Sequence, residues 1–245
     1  MKRIKNNVKN EFLKIGAMTK YRLFPILFVA LLIIVTVVSN IPGNVVGLTL
    51  ANFPFTVLSW LGYLIAPIAA FMLASDLLAG EVETGQIRIA LARPLSRIKI
   101  LFSKLVAIIG YLMVLYLLGF VTSSTISIAF TGLSGFSIMS AISAYALGIL
   151  PVLVLAAMAI MVATSVKSST SGFALCLCLY TGAMLLGWVF PSFSPMLFTS
   201  YMGIGSMVIG TSIPIVSLLT GIGILLGYSA MFLSVGSLRF EYKEL

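Results

Sequence analysis

The sequence predicts an all-α polytopic membrane protein with six transmembrane helices, and three observations carry that prediction. Of 245 residues, 60% are hydrophobic and 9% charged, where a soluble domain carries about 25% charged residues. Six apolar runs are each long enough to cross a bilayer core about 30 Å thick, which takes roughly 20 helical residues. Every Lys and Arg lies in alternate connections or at the helix ends adjoining them, the distribution that the positive-inside rule expects of a chain threading back and forth through a bilayer.

The elements follow in order within one transmembrane domain spanning 1–245. Residues 1–22 place Ile4, Val8, Phe12 and Ile15 at helical spacing, with Lys5, Lys9 and Lys14 elsewhere on the wheel. That pattern predicts an amphipathic interfacial helix lying along an anionic leaflet, against the plainer reading of a disordered basic tail that only sets orientation. Residues 23–39 form the first span, closed by the Asn-Ile-Pro-Gly of 40–43, and 57–78 the second, with Pro67 as a kink. Residues 79–99 are a loop. The third span covers 100–124, its Lys104 near enough to the end to snorkel. The fourth covers 141–166 around Pro151, the fifth 171–190 and the sixth 215–238. Between the last two, 191–214 is apolar and uncharged but broken by Pro191, Pro195, Pro214 and several glycines. A pair of re-entrant half-helices, covered by other protein, accounts for it. Gly223 and Gly227 in the sixth span form a small-xxx-small pair, a packing motif.

Charge placement orients the chain. The N-terminus, 79–99, 167–170 and the C-terminus share one side, while 40–56, 125–140 and 191–214 carry no charge. Both termini are therefore expected in the cytoplasm. More than twenty polar and basic residues precede the first apolar run, so that run reads as a retained span rather than a cleaved signal peptide. The expected location is the plasma membrane, multi-pass, of a bacterial cell. The net charge of +9 then reports the cytoplasmic loops and calls for no nucleic acid. Cys176 and Cys178, two apart on a helix, point away from each other and are not expected to pair.

Much chemistry is excluded. With no histidine, imidazole catalysis, His-metal ligation and imidazole proton relays are gone. A phosphate-cradling loop reads G-x-x-x-x-G-K-[ST], and no Gly-Lys pair occurs. The spans hold no Ser–Lys, Asp–Asp or His/Glu set for hydrolysis. No enzyme, no bound cofactor and no metal site is expected in this chain. Ion-coupled carriers commonly place ionisable groups within their spans; none lies near the middle of a span here, though sodium held by backbone carbonyls stays open.

The loop after the second span is the exception to this poverty of charge. Asp76, Glu81 and Glu83 are followed by Arg88, Arg93, Arg97 and Lys99. Residues 84–92 offer Ile87, Ile89, Ala90 and Leu91 as a short apolar face, and Arg93 precedes Pro94, a position biased away from helix. Ser96 is placed to cap the next helix. Helix exit, short helix, proline break and re-entry make a hairpin suited to carrying force between a soluble partner and two spans. A solvated loop that merely sets topology explains the arginines but not the three acids.

From Asp76-Leu-Leu-Ala-Gly80-Glu81 through Thr84-Gly85 to Leu91-Ala-Arg93-Pro94-Leu-Ser96-Arg97 and Lys104, the stretch resembles the first cytoplasmic loop of ABC-2 type permeases, the membrane subunits of ATP-binding-cassette exporters. The resemblance extends to the basic N-terminal helix, the six spans and the broken segment before the last one, and is closest to small bacterial permeases of bacteriocin-immunity, peptide or drug export made without a fused ATPase. It implies a coupling helix over about 84–92 docking on a separate ATPase, present in two copies, that binds ATP and magnesium. Glu81, Glu83 and Arg88 would make polar contacts there, beside Thr84, Gly85 and Leu91, with Arg93, Pro94 and Arg97 shaping the return. It further implies pairing with a second permease, as homodimer or heterodimer, among membrane lipids, and export of a hydrophobic or amphipathic cargo. The alternatives are a non-transporting membrane anchor or regulatory subunit for a soluble partner, and a sodium-coupled carrier.

Overall fold

The computed structural model describes residues 2–40, 50–86, 96–132, 137–208 and 214–242, with side chains from residue 5 onward. All regular structure among them is helical, and six helices are long and apolar enough to cross a membrane. The protein is an all-α, multi-pass membrane protein. Helix α1 (Lys2–Ala17) precedes the spans α2 (Thr19–Ser39), α3 (Leu50–Glu83), α4 (Arg97–Thr131), α5 (Ile138–Ser165), α6 (Ser169–Val189) and α7 (Ile215–Tyr242). At 1.5 Å per residue, α3 and α4 reach about 50 Å, so they outrun the hydrocarbon core and extend past the bounds read from hydropathy.

α5 is the central helix. Its most apolar window is 67% buried, against 22% in α2, 17% in α6 and 22% in α7. α7 packs along α5 more extensively than any other pair of elements, and Gly236 brings it onto the Met161 backbone, where an added Cβ would stand 3.2 Å from Cα. Gly223 and Gly227, expected to pack, meet nothing within 4 Å; the close glycines on α7 are Gly221, against the Tyr201 ring, and Gly236.

Proline is absorbed in two ways. Around Pro151 the chain turns at Ile149 and restarts, placing the proline in the first turn of Leu150–Ser165, where no N–H is needed. Pro67 instead sits two residues past a π-helical turn, Leu61–Ile65. The wide turn makes room for the ring, which would otherwise press on the carbonyl four residues back. That carbonyl belongs to Tyr63, and the Tyr180 hydroxyl of α6 donates to it at 3.1 Å. Pro25 inside α2 repeats the device: the carbonyl four residues back, on Tyr21, accepts from the Tyr111 hydroxyl at 3.1 Å.

Over its described residues, 191–208, the segment after α6 does not form half-helices. Its prolines and glycines break it into three 3-10 turns, Pro191–Met196, Phe198–Tyr201 and Ile204–Val208. The middle and last turns are buried at Phe198, Tyr201 and Ile204. At the other end of the bundle, α3 carries a second π-helical turn, Ser75–Gly80, and closes at Glu83.

Candidate functional site

The charged end of α3 is built from the π-helical turn Ser75–Gly80 and the last helical residues Glu81–Glu83. Asp76 and Glu83, seven apart, share a face, while Glu81 is turned away. The three carboxylates therefore reach different neighbours.

Asp76 faces α2 and α6. Its carboxylate accepts from the Tyr21 hydroxyl, pairs with the Lys20 ammonium, and accepts from Ser169 Oγ at 2.6 Å. Glu83 Oε2 accepts the backbone N–H of Ser169 at 2.9 Å. Ser168 provides no side-chain cap to α6, so Glu83 supplies from α3 the negative charge that a helix N-terminus favours. Gly172 lets α6 come this close, since a Cβ there would stand 2.9 Å from Ser75 Oγ.

Glu81 faces α1 and α4. Its Oε1 lies 2.8 Å from both Lys14 and Lys104, and Glu11 closes the set at 3.2 Å from Lys14 and 3.3 Å from Lys104. The Lys104 side chain is 0% exposed and that of Glu11 3%. Lys104 thus does not snorkel to the headgroups; it turns inward as the cation between two buried carboxylates. Charges this deep persist because each is paired, and removing one partner costs about 3–5 kcal/mol. Burial of the Lys14 ammonium pulls its pKa down, but the hydrogen bond to Glu81 and the charges of Glu11 and Glu81 outweigh that and lift it above its ordinary 10.5. Glu81 Oε2 has no hydrogen-bond partner among the described residues. Beside the cluster lies a cavity of about 590 Å³ bordered by Lys14, Lys20, Asp76, Glu81, Glu83 and Ser169. Among the described residues no group of side chains forms a metal site.

The chain leaves this hub in a defined way. Thr84 bonds back to the Gly80 carbonyl through its N–H at 3.0 Å and its hydroxyl at 2.9 Å. Gly85 takes φ +72°, the left-handed conformation that ends a helix and suits glycine. Arg88, Leu91, Arg93 and Pro94, with most of the expected coupling helix, lie outside the described residues. The chain is next described at Ser96, and Arg97, the first residue of α4, donates to the carbonyls of Phe240 at 3.4 Å and Glu241 at 2.8 Å. A guanidinium at the C-terminal end of α7 is well placed against the helix dipole.

Of the residues singled out from sequence, Glu81, Glu83 and Arg97 thus make contacts within the chain. Sequence reasoning missed Glu11, Lys20, Tyr21 and Ser169, and missed what Lys14 and Lys104 hold. One signal was present: Glu11 is the sole acid in α1, four residues from both Asn7 and Ile15, and these three are its buried stripe. Of the stripe expected from hydropathy, Ile4, Val8, Phe12 and Ile15, the structure buries Ile15, half-buries Val8 and leaves Phe12 39% exposed, while the Ile4 side chain lies outside the description.

The geometry describes one helix end holding α1, α2, α4 and α6 at once, with the following segment returning to a helix fixed on α7. No curated protein matches the chain. The family model described as ABC-2 family transporter protein matches residues 4–245, and with nearly the whole length covered, the chain belongs to the ABC-2 family of transporter proteins.

Proposed function

We propose that this transporter membrane component is the permease subunit of an exporter driven by a separate ATP-binding-cassette ATPase, and that the charged end of α3 is where the drive enters. The chain carries no ATPase of its own on this reading; two copies of the partner bind ATP and magnesium. The charged end faces the cytoplasm, as the confinement of Lys and Arg to it supports. The segment between Glu83 and Arg97 is the part the ATPase grips.

The observation that carries this reading is the set of ties made by Asp76, Glu81 and Glu83. A displacement of the segment is delivered through Glu81 to α1 and α4, through Asp76 and Glu83 to α2 and α6, and through Arg97 to α7. In a solvated topology loop these acids would face water. The wide apolar exposure of α2, α6 and α7, and the uncovered Gly223–Gly227 face, support pairing with a second permease, whose shared interior would pass a hydrophobic or amphipathic cargo such as a peptide, drug or lipid-like molecule.

The test is reconstitution in vesicles with the co-purifying ATPase, comparing wild type with Arg88→Glu and Glu83→Lys. Both variants should insert normally, yet permease-stimulated ATP hydrolysis should fall by about tenfold or more, the scale of coupling energies between sites. Unchanged hydrolysis and transport in both variants would remove the coupling role.

A further inference from the structure

At the charged end of the bundle, α4 and α7 enclose a groove on the outside of the protein. Its volume is about 240 Å³. Leu101 and Leu105 form the floor, 4% and 8% exposed, while Ile98 and Phe102 stand as one wall, 52% and 55% exposed. Leu233, Ser234 and Ser237 of α7 make the opposite wall. The two serine hydroxyls are turned back on their own helix: Ser234 donates to the Ala230 carbonyl and Ser237 to the Ser234 carbonyl. A guest in the groove therefore meets an almost wholly apolar surface.

The groove follows from how α7 is held. Gly236 seats that helix on the α5 backbone, and Arg239, on the same side, donates to Ser165 Oγ of α5. Toward α4, Arg97 ties the last turn of α7 through the carbonyls of Phe240 and Glu241. Deeper in the membrane, side chains as short as Ser234 and Ser237 leave the space against α4 unfilled.

The charges at its mouth decide what fills it. Lys99 lies three residues before Phe102, a neighbour on the helix surface, and so shares the rim. Its side chain is exposed, and no carboxylate among the described residues pairs with it. Glu241, four residues past Ser237 and exposed, lies below the opposite wall. Arg97 adds a second cation, so the mouth carries two positive charges against one negative. An apolar groove under a net positive mouth, where a span meets the headgroups, is matched by a phospholipid with an anionic headgroup. Basic pockets between spans are suited to such headgroups, and a zwitterionic headgroup has no net charge to answer them.

We propose that this groove is a binding site for an anionic phospholipid of the leaflet at the charged end, its acyl chain lying along residues 98–105 and its phosphate held by Lys99. The bound lipid bridges α4 and α7 beside the Arg97 tie and steadies the joint between them. The site follows from the membrane-spanning fold and does not depend on the exporter reading.

The experiment uses Phe102→Trp as a groove reporter in a Trp60→Phe, Trp188→Phe background, in vesicles of phosphatidylcholine. Brominated phosphatidylglycerol is added at rising mole fraction, and tryptophan quenching is compared with that by brominated phosphatidylcholine. Quenching by the anionic lipid should saturate at low mole fraction, while the zwitterionic lipid should quench only in proportion to its abundance. Equal curves for the two lipids would mean an ordinary lipid annulus and overturn the site. Lys99→Gln should move the half-saturation point about fivefold higher, the effect of one cation near an anionic headgroup. Lys167→Gln, at an exposed cation of the same end, should leave it in place. No shift with Lys99→Gln, or equal shifts in both, overturns the headgroup assignment. Ser237→Leu fills the groove and should abolish saturation; Ser234→Leu serves where that variant fails to insert. Saturation retained in an inserted variant overturns the chain assignment. Free glycerol phosphate should leave the quenching unchanged, and displacement by it would show a phosphate site that needs no lipid, against the proposal.

Discussion

Lys104 shows how much one residue's meaning depends on its neighbours. In the sequence it is a cation seven residues past Arg97 near the start of an apolar run, and solvation at the headgroups is its ordinary fate. The structure gives it Glu11, ninety-three positions away, and Glu81; no local pattern announces such a pairing. Lys104→Met should lower unfolding stability by about 3–5 kcal/mol, because it strands buried carboxylates. The double variant Lys104→Met, Glu11→Met should cost less than the sum of the singles, as groups in one network do. Thermal unfolding in detergent reads both. Lys14 yields a prediction in pH. Its folded pKa lies above the unfolded 10.5, so its contribution is fully present below that value and is lost as pH rises through the folded pKa. The midpoint difference between wild type and Lys14→Met should therefore stay constant up to about pH 10.5 and shrink above it. A difference already falling near neutrality would contradict the Glu81 pairing.

Among elements, the spans were legible because length and apolarity are local properties, and all six appear as helices. The two π-turns of α3 were not legible. They arise from packing: one makes room before Pro67, the other lies where Asp76 and Glu83 reach one way and Glu81 the other. The broken segment was legible as broken from its prolines and glycines, but its form as 3-10 turns depends on the walls it sits between. Tyrosine repair of proline-freed carbonyls is likewise a tertiary event. Tyr180→Phe should cost about 1–3 kcal/mol, the penalty for an unsatisfied buried acceptor, and Pro67→Ala should relieve part of it by restoring an N–H to Tyr63. Equal losses from Tyr180→Phe in both backgrounds would show that the hydroxyl does not serve that carbonyl.

At the scale of the whole molecule, charge and hydropathy are polarised. Glu11, Asp76, Glu81 and Glu83 are four of the six acids in the chain, and all four meet at one end. The acids were visible in the sequence as an anomaly, yet their reach across four helices was not. On the flank, Gly223 and Gly227 were expected to pack and meet open space, which fits a face completed by a second copy or a sister permease. Gly223→Leu with Gly227→Leu should dissociate a purified dimer in sizing experiments; a dimer that survives places the contact elsewhere. The central claim is that the end of α3 delivers movement to the spans. The most direct measurement compares transport with ATP hydrolysis for Asp76→Asn in reconstituted vesicles, since that change removes the charge binding Lys20 while leaving Glu83 and the segment after it unaltered. Transport should fall about tenfold with ATP hydrolysis largely retained. A fall in transport only in proportion to hydrolysis, or no fall, would contradict the account.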